Sequence, residues 1–348
     1  MWVLKFTLGI GLALATFQLF AQAPRDEISI AFKLAPLDAK LENPVVTAMA
    51  LSPDGRYLAA AGDDHAIRIV ELENCSTVET LTGHTDWVRS LDFSDDGKIL
   101  ASCGNDCELR VWQTENRFSG RVVMKGAFAL SGLSIHPDGD RIFVVGFGND
   151  VECWSQRRSE KVWQHRCECS DHRALEISPN GELVAWGGRD GKLCIFDLLS
   201  NDMVFEEAVH SDRIRSLHFS SDSTRVSSIG EDRKLCRYDI PTSKIILSQK
   251  IPGGKPMSLA LFDMVTTAIG GSDNGIHFYS SMHDNFGRIA GHRGTVSILC
   301  CDDERLYSSG YDTYIRIWDK RDILDRLEAT PATKAVSTSA GSEEAVVR

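Results

Sequence analysis

Within the 348 residues, the densest group of reactive side chains occupies eight positions: His165, Cys167, Cys169 and His172. These are zinc or copper ligand types, and in a strand the first three alternate onto one face. The spacing is not that of a structural zinc site, and His172 takes the place that Val88 holds two repeats earlier. A buried or partnered histidine is therefore the first reading of this group, and a metal the second. Nucleophile and phosphate-loop signatures are missing: the sequence has no Gly-x-Ser-x-Gly, no Walker loop, no His-Glu-x-x-His and no Cys-x-x-Cys-His. No cofactor is expected, and no catalytic residue is assigned.

Composition narrows the classes further. There are 38 Lys and Arg against 49 Asp and Glu, a net charge of −11, which disfavours sequence-independent binding of nucleic acid. Hydrophobic residues make up 43%, enough for a sizeable core. Residues 1–23 carry one Lys, no acid, and an apolar run from Leu8 to Phe20 ahead of Ala21-Gln22-Ala23. They read as an export signal, cleaved or kept as an N-terminal anchor, with Pro24 opposing cleavage after Ala23. Export places the protein in a periplasm or outside the cell. A cytoplasmic protein with a buried N-terminal helix is the alternative. Disulfides are then permitted, and Cys103 and Cys107, flanking a short turn, form either one of these or a pair of packed thiols.

The elements that position these residues follow from an internal repeat. Gly recurs at 62, 104, 146, 188, 230, 271 and 310, at intervals of 42, 42, 42, 42, 41 and 39. Eight residues after each comes a large side chain, from Val70 through Trp112 to Trp318, and upstream a turn signal such as Ser52-Pro53-Asp54-Gly55 keeps the same step. Between the markers, segments such as Val88-Arg89-Ser90-Leu91-Asp92-Phe93 alternate with period two, and helical periodicity is absent. Seven units of short antiparallel strands, none able to bury both faces alone, predict an all-β, seven-bladed β-propeller of four-stranded blades. The last unit ends after three strands at Trp318-Asp319, while Ile28–Lys33 precedes the first unit with no blade of its own. The N-terminal strand is therefore expected to close the last blade. The propeller spans 26–327, and 328–348 has the composition of a disordered tail.

Over residues 28–319 the chain resembles the WD-repeat (WD40) family of propellers. Gly83-His84, Ser102, Asp106 and Trp112 match that family's structural tetrad, as do Gly291-His292, Ser308, Asp312 and Trp318-Asp319. His210, Ser228 and Asp232 match it with Tyr238 in place of Trp. The resemblance implies hydrogen bonding within each set, and a scaffold more than a catalyst. Blade 3 keeps Trp154 but has Val144 and Gly148 at the hydroxyl and aspartate positions; blade 4 has Glu168 and Trp186 at the histidine and hydroxyl positions. These two are expected to rely on packing.

The loops carrying the tetrad His and Asp open on one face of the ring, and the side chains there not spent on structure are Trp87, Phe147, Arg189, Arg213, Arg233, Arg293 and Tyr311. Trp, Tyr and Arg are interface residues, so this face is the candidate surface for protein partners, with acidic peptides or other anions suited to the arginines. The expected protein is a monomeric, non-enzymatic platform that meets a membrane only through the N-terminal segment. A propeller with a small-ligand or hydrolytic site at the central channel is the alternative.

Overall fold

The computed structural model describes residues 29–329 apart from 39 and 169. The segment 1–23 read as an export signal and positions 330–348 of the expected tail lie outside the described residues. Blade 1 is a meander of Val46–Leu51, Tyr57–Gly62, Ile67–Glu71 and Ser76–Leu81, hydrogen-bonded in that order. The same order recurs in every unit, giving seven four-stranded sheets. In the seventh, Val296–Cys301, Arg305–Gly310 and Tyr314–Asp319 are completed by Ser29–Lys33, which runs antiparallel to Tyr314–Asp319 with Ala31 opposite Arg316. The N-terminal strand thus closes the ring, as the orphan strand at each end of the repeat predicted.

The core is a set of layers between adjacent blades. Ile67, Ile69 and Leu81 of blade 1, for example, pack on Val88, Leu91, Phe93 and Trp112 of blade 2. Residues two apart on a strand share a face, so the period-two pattern supplies one apolar face to each neighbouring blade. The upstream turns form as the sequence suggests: the Gly55 N–H donates to the Ser52 carbonyl at 2.9 Å with φ of 66° at Gly55, and in blade 5 Ser223 adopts φ of 59° in its stead. The repeating glycine has a separate cause. A Cβ on Gly104 would collide with the Trp87 carbonyl, which at 2.9 Å accepts the N–H of Asn105.

One open alternative is decided and one expectation is corrected. Cys103 and Cys107 are both free: Cys103 is packed in the layer between blades 2 and 3, while Cys107 sits at φ of 66° with its thiol against the Asn105 carbonyl. Of the two alternatives left open by the sequence, the structure has the thiols, which the tight turn holds apart. Residues 320–329 form a helix, although no helical element was expected and 328 was placed in the tail. Asp319 caps it, accepting the Arg321 N–H at 2.8 Å, and Ile323 is wholly buried beside the partly buried Leu327 at the outer edge of blades 6 and 7. One apolar i, i+4 pair is too short a period to detect after seven strand-rich repeats.

Candidate functional site

Each innermost strand lines the central channel, and each contains a β-bulge at the same place. In blade 2, Val88 pairs with Gly104 and Ser90 with Cys103, leaving Arg89 as the extra residue. The equivalent residues are Thr47, Ser131, Arg173, Arg215, Met257 and Ser297. A bulge turns its residue out of the pleat, and here all seven line one bowl of about 540 Å³ at the mouth of the channel. Three of the seven are arginine.

Trp87 and Tyr311 complete the bowl wall, 41% and 60% exposed, and the Arg89 guanidinium lies 5.0 Å over the Trp87 ring. Phe147, 40% exposed, carries the Arg173 guanidinium 4.2 Å over its own ring. Arg189, Arg233 and Arg293 are exposed but do not line the bowl; Arg233 donates at 3.4 Å to the Gly253 carbonyl. Arg213 differs from the expectation that it is free for a partner. It is ion-paired to Asp171 at 2.7 Å and to Glu231 at 3.2 Å, because its neighbours in blades 4 and 5 bring those carboxylates under it. Arg89, Arg173 and Arg215 are not among the residues expected from the sequence, although their signal is present there: they fall at one repeat position, in successive steps of 84 and 42 residues.

Further along the same innermost strands, in the channel, come Asp92, Ser134, Glu176 and His218. This is where a hydrolytic site would require its acids and bases. Their oxygens, however, accept N–H groups of the next blade's innermost strand: Asp92 from Ile135 at 2.8 Å, Ser134 from Ile177 at 3.2 Å and Glu176 from Phe219 at 2.6 Å. Ser90, Ser216 and Ser258 do the same one turn of the pleat higher, so the rings stitch blade to blade. Burial raises the Asp92 pKa to about 7 against the Ile135 N–H, with Glu176 adding to the rise. His218 is also raised: burial lowers it, but Glu176 at 2.8 Å outweighs that.

Two of the three tetrads are complete hydrogen-bonded chains. In blade 2, Trp112 Nε1–H donates to Ser102 Oγ at 2.9 Å, Ser102 Oγ lies 2.7 Å from His84 Nε2, and His84 Nδ1 lies 2.7 Å from Asp106, which also accepts the Thr85 N–H. The indole can only donate, so the proton order runs from Trp through Ser and His to Asp. Blade 7 repeats the chain with Trp318, Ser308, His292 and Asp312 at 2.7, 2.7 and 3.0 Å. Blade 5 keeps His210 to Ser228 and Asp232 at 2.9 and 3.0 Å, but Tyr238 does not join: its hydroxyl is buried without a partner and its ring lies 4.0 Å from that of Phe205. Blade 1 pairs Asp64 with the buried Arg68, and blade 6 pairs Asp273 with His277 at 2.9 Å. Trp154 of blade 3 donates to Glu152 at 2.8 Å, and Trp186 of blade 4 is wholly buried among Phe143, Phe196 and partly buried Trp163.

His165, Cys167 and His172 line a common cavity of about 90 Å³, while Cys169 lies outside the described residues. His165 stacks on Trp163 and packs against Trp186 and Phe196. Burial pushes the Cys167 thiol up to about 11, an unfavourable setting for a thiolate ligand. Among the described residues no group of three His, Cys, Asp or Glu is disposed to hold a metal ion.

A model of the IFT122 first beta-propeller family matches residues 45–319, the seven repeats without the closing strand or the terminal helix. The chain belongs to the IFT122 first beta-propeller family. It is a WD40-type propeller, and domains of this kind generally bind protein partners. No curated protein matches the chain.

Proposed function

We propose that this propeller is a non-enzymatic platform that engages protein partners through the channel-mouth face. The observation that carries the reading is the exposure of Trp87, Phe147 and Tyr311 around a bowl walled by arginines, in a molecule whose other large aromatic side chains are mostly buried in the blades. Interfaces favour this pairing of rigid aromatic surface with guanidinium. A hydrolytic channel is the less economical reading, since Asp92 and Glu176 already accept backbone N–H groups. The composition of residues 1–23 supports an exported platform, in a periplasm or outside the cell. Crosslinked affinity capture from envelope and soluble fractions tests both parts, using wild type beside a Trp87→Ala/Arg233→Ala/Tyr311→Ala variant with the same melting temperature. A partner held by wild type and lost by the variant is the expected result. Equal recovery by both would remove the face, and recovery confined to cytosol would remove the location.

A further inference from the structure

The bulge ring holds more positive charge than the protein neutralises. Each arginine is oriented through one edge by one neighbour: Arg89 Nε donates to Asn105 at 2.9 Å, Arg173 Nε lies 2.6 Å from Asp171, and Arg215 Nη2 lies 2.6 Å from Glu231. Among the described residues, the Nη groups of Arg89 and Arg173 and Nη1 of Arg215 take no acceptor. The two carboxylates are shared, Asp171 with Arg213 and Glu231 with both Arg213 and Lys255. A third carboxylate on the wall, Asp63, accepts the Val45 N–H. Five cations thus meet three carboxylates, in a chain whose overall charge is −11. Arg89, Arg173 and Arg215 line the same bowl of about 540 Å³, and burial, with the charges of Arg213, Arg215 and Arg89, lowers the Arg173 pKa although Asp171 opposes the shift.

We propose that Arg89, Arg173 and Arg215 form a phosphate-binding site, which takes the phosphate monoester of a phosphorylated side chain carried on an extended segment of a protein partner. The proposal rests on the reading of the mouth as a protein-binding face and names the chemistry that face selects. The excess of two positive charges matches a phosphate monoester, which carries about −1.5 to −2 near neutral pH. A planar carboxylate offers two oxygens and is satisfied by one guanidinium fork, whereas three forks approaching from blades 2, 4 and 5 need an acceptor with three oxygens. Stacking of Arg89 on Trp87 and of Arg173 on Phe147 fixes the planes of those forks and leaves their edges for the ligand. The exposed faces of Trp87 and Tyr311 favour a peptide with apolar residues beside the phosphate over a free polyphosphate.

The full chain, probed on an array of short phosphothreonine and phosphoserine peptides with varied apolar flanks and on the same array without phosphate, tests this. Wild type is expected to bind a subset of phosphorylated spots only. Arg89→Gln, whose lost bond is a single one to Asn105, and Arg173→Gln should each weaken those spots roughly tenfold, as loss of one charge-assisted fork implies. Lys98→Gln, exposed in the turn at the far end of Val88–Phe93 and outside the bowl, should leave them unchanged. Phosphate-dependent spots that survive Arg89→Gln combined with Arg173→Gln would overturn the site. So would binding of inositol hexakisphosphate with every peptide spot blank, which would assign the ring to a free polyphosphate. If partner capture depends on Trp87 and Tyr311 while no spot is phosphate-dependent, the platform stands and this proposal falls. If capture itself fails, the platform reading falls first.

Discussion

At the scale of single residues, a tetrad histidine and a channel aspartate make opposite predictions. His84 and Asp312 each satisfy partners that have no access to bulk water, so His84→Ala or Asp312→Ala should cost about 1–3 kcal/mol, read as a lower urea midpoint at unchanged slope. Tyr238→Phe in blade 5 should cost nothing or stabilise slightly, because the hydroxyl it removes is buried without a partner. A loss above about 1 kcal/mol there would mean that the hydroxyl is bonded after all. Asp92 has a native pKa of about 7, raised above its unfolded value of 3.8. Below that unfolded value it is protonated in both states and neutral to stability. Between 3.8 and about 7 the native state keeps a proton that the unfolded chain has released, so stability falls as pH rises, and the loss is complete above 7. Asp92→Asn keeps an oxygen for the Ile135 N–H and never ionises. Because channel water screens the site, it should stabilise by only about 1–2 kcal/mol at pH 8 and by nothing near pH 4. A melting temperature that rises equally at both pH values would sink this account. His84 and Asp312 were legible in the sequence because the tetrad has fixed spacing. Asp92 was not, because its role depends on the next blade's backbone.

Elements show the same division between local and non-local information. Strand limits such as Val88–Phe93 and the turn glycines follow from alternation and φ preference, which are properties of a few adjacent residues. The bulges did not announce themselves, since an extra residue in a strand leaves the repeat length intact when every blade has one. For that reason the arginines named from the sequence were those on loops, and Arg89, Arg173 and Arg215 were passed over. The helix Lys320–Ala329 depends on what lies beneath it: Leu327 packs against Gly287, where a Cβ would strike it, and Lys320 donates to the Phe262 carbonyl with its ammonium 4.9 Å over that ring. Ile323 is its wholly buried anchor, and Ile323→Ala should cost about 2–5 kcal/mol. Leu324→Ala, on the exposed side, should stay within about 0.5 kcal/mol. Equal effects of the two substitutions, measured by urea unfolding, would show that the helix does not dock on blades 6 and 7.

For the whole molecule the question is what makes seven blades a ring and not an open stack. Repeat counting gave the number of blades, and an incomplete last unit with a spare strand at the start gave the closure. The physical reason is that an unpaired strand edge on Tyr314–Asp319 would leave a row of backbone groups without partners. Ser29–Lys33 supplies them across 287 residues of chain, as the distance from Ser29 to Arg316 illustrates. The segment after it is equally committed: Leu34 is 1% exposed in the layer between blades 7 and 1, the Leu34 carbonyl accepts from Asn43, and the Ala35 carbonyl accepts from the buried Arg68. Two changes separate the edge from the core. Leu34→Ala removes core volume alone and should cost about 2–5 kcal/mol, with a melting temperature lower by roughly 5–15 °C. Deleting residues 26–36 removes the core residue, the strand and the acceptor for Arg68 together. It should lower the melting temperature well beyond Leu34→Ala and, by exposing the edge of Tyr314–Asp319, produce concentration-dependent association in size-exclusion chromatography. If the deletion melts like Leu34→Ala and stays monomeric, the closing strand contributes only its one buried leucine, and the ring is held by the layers between blades.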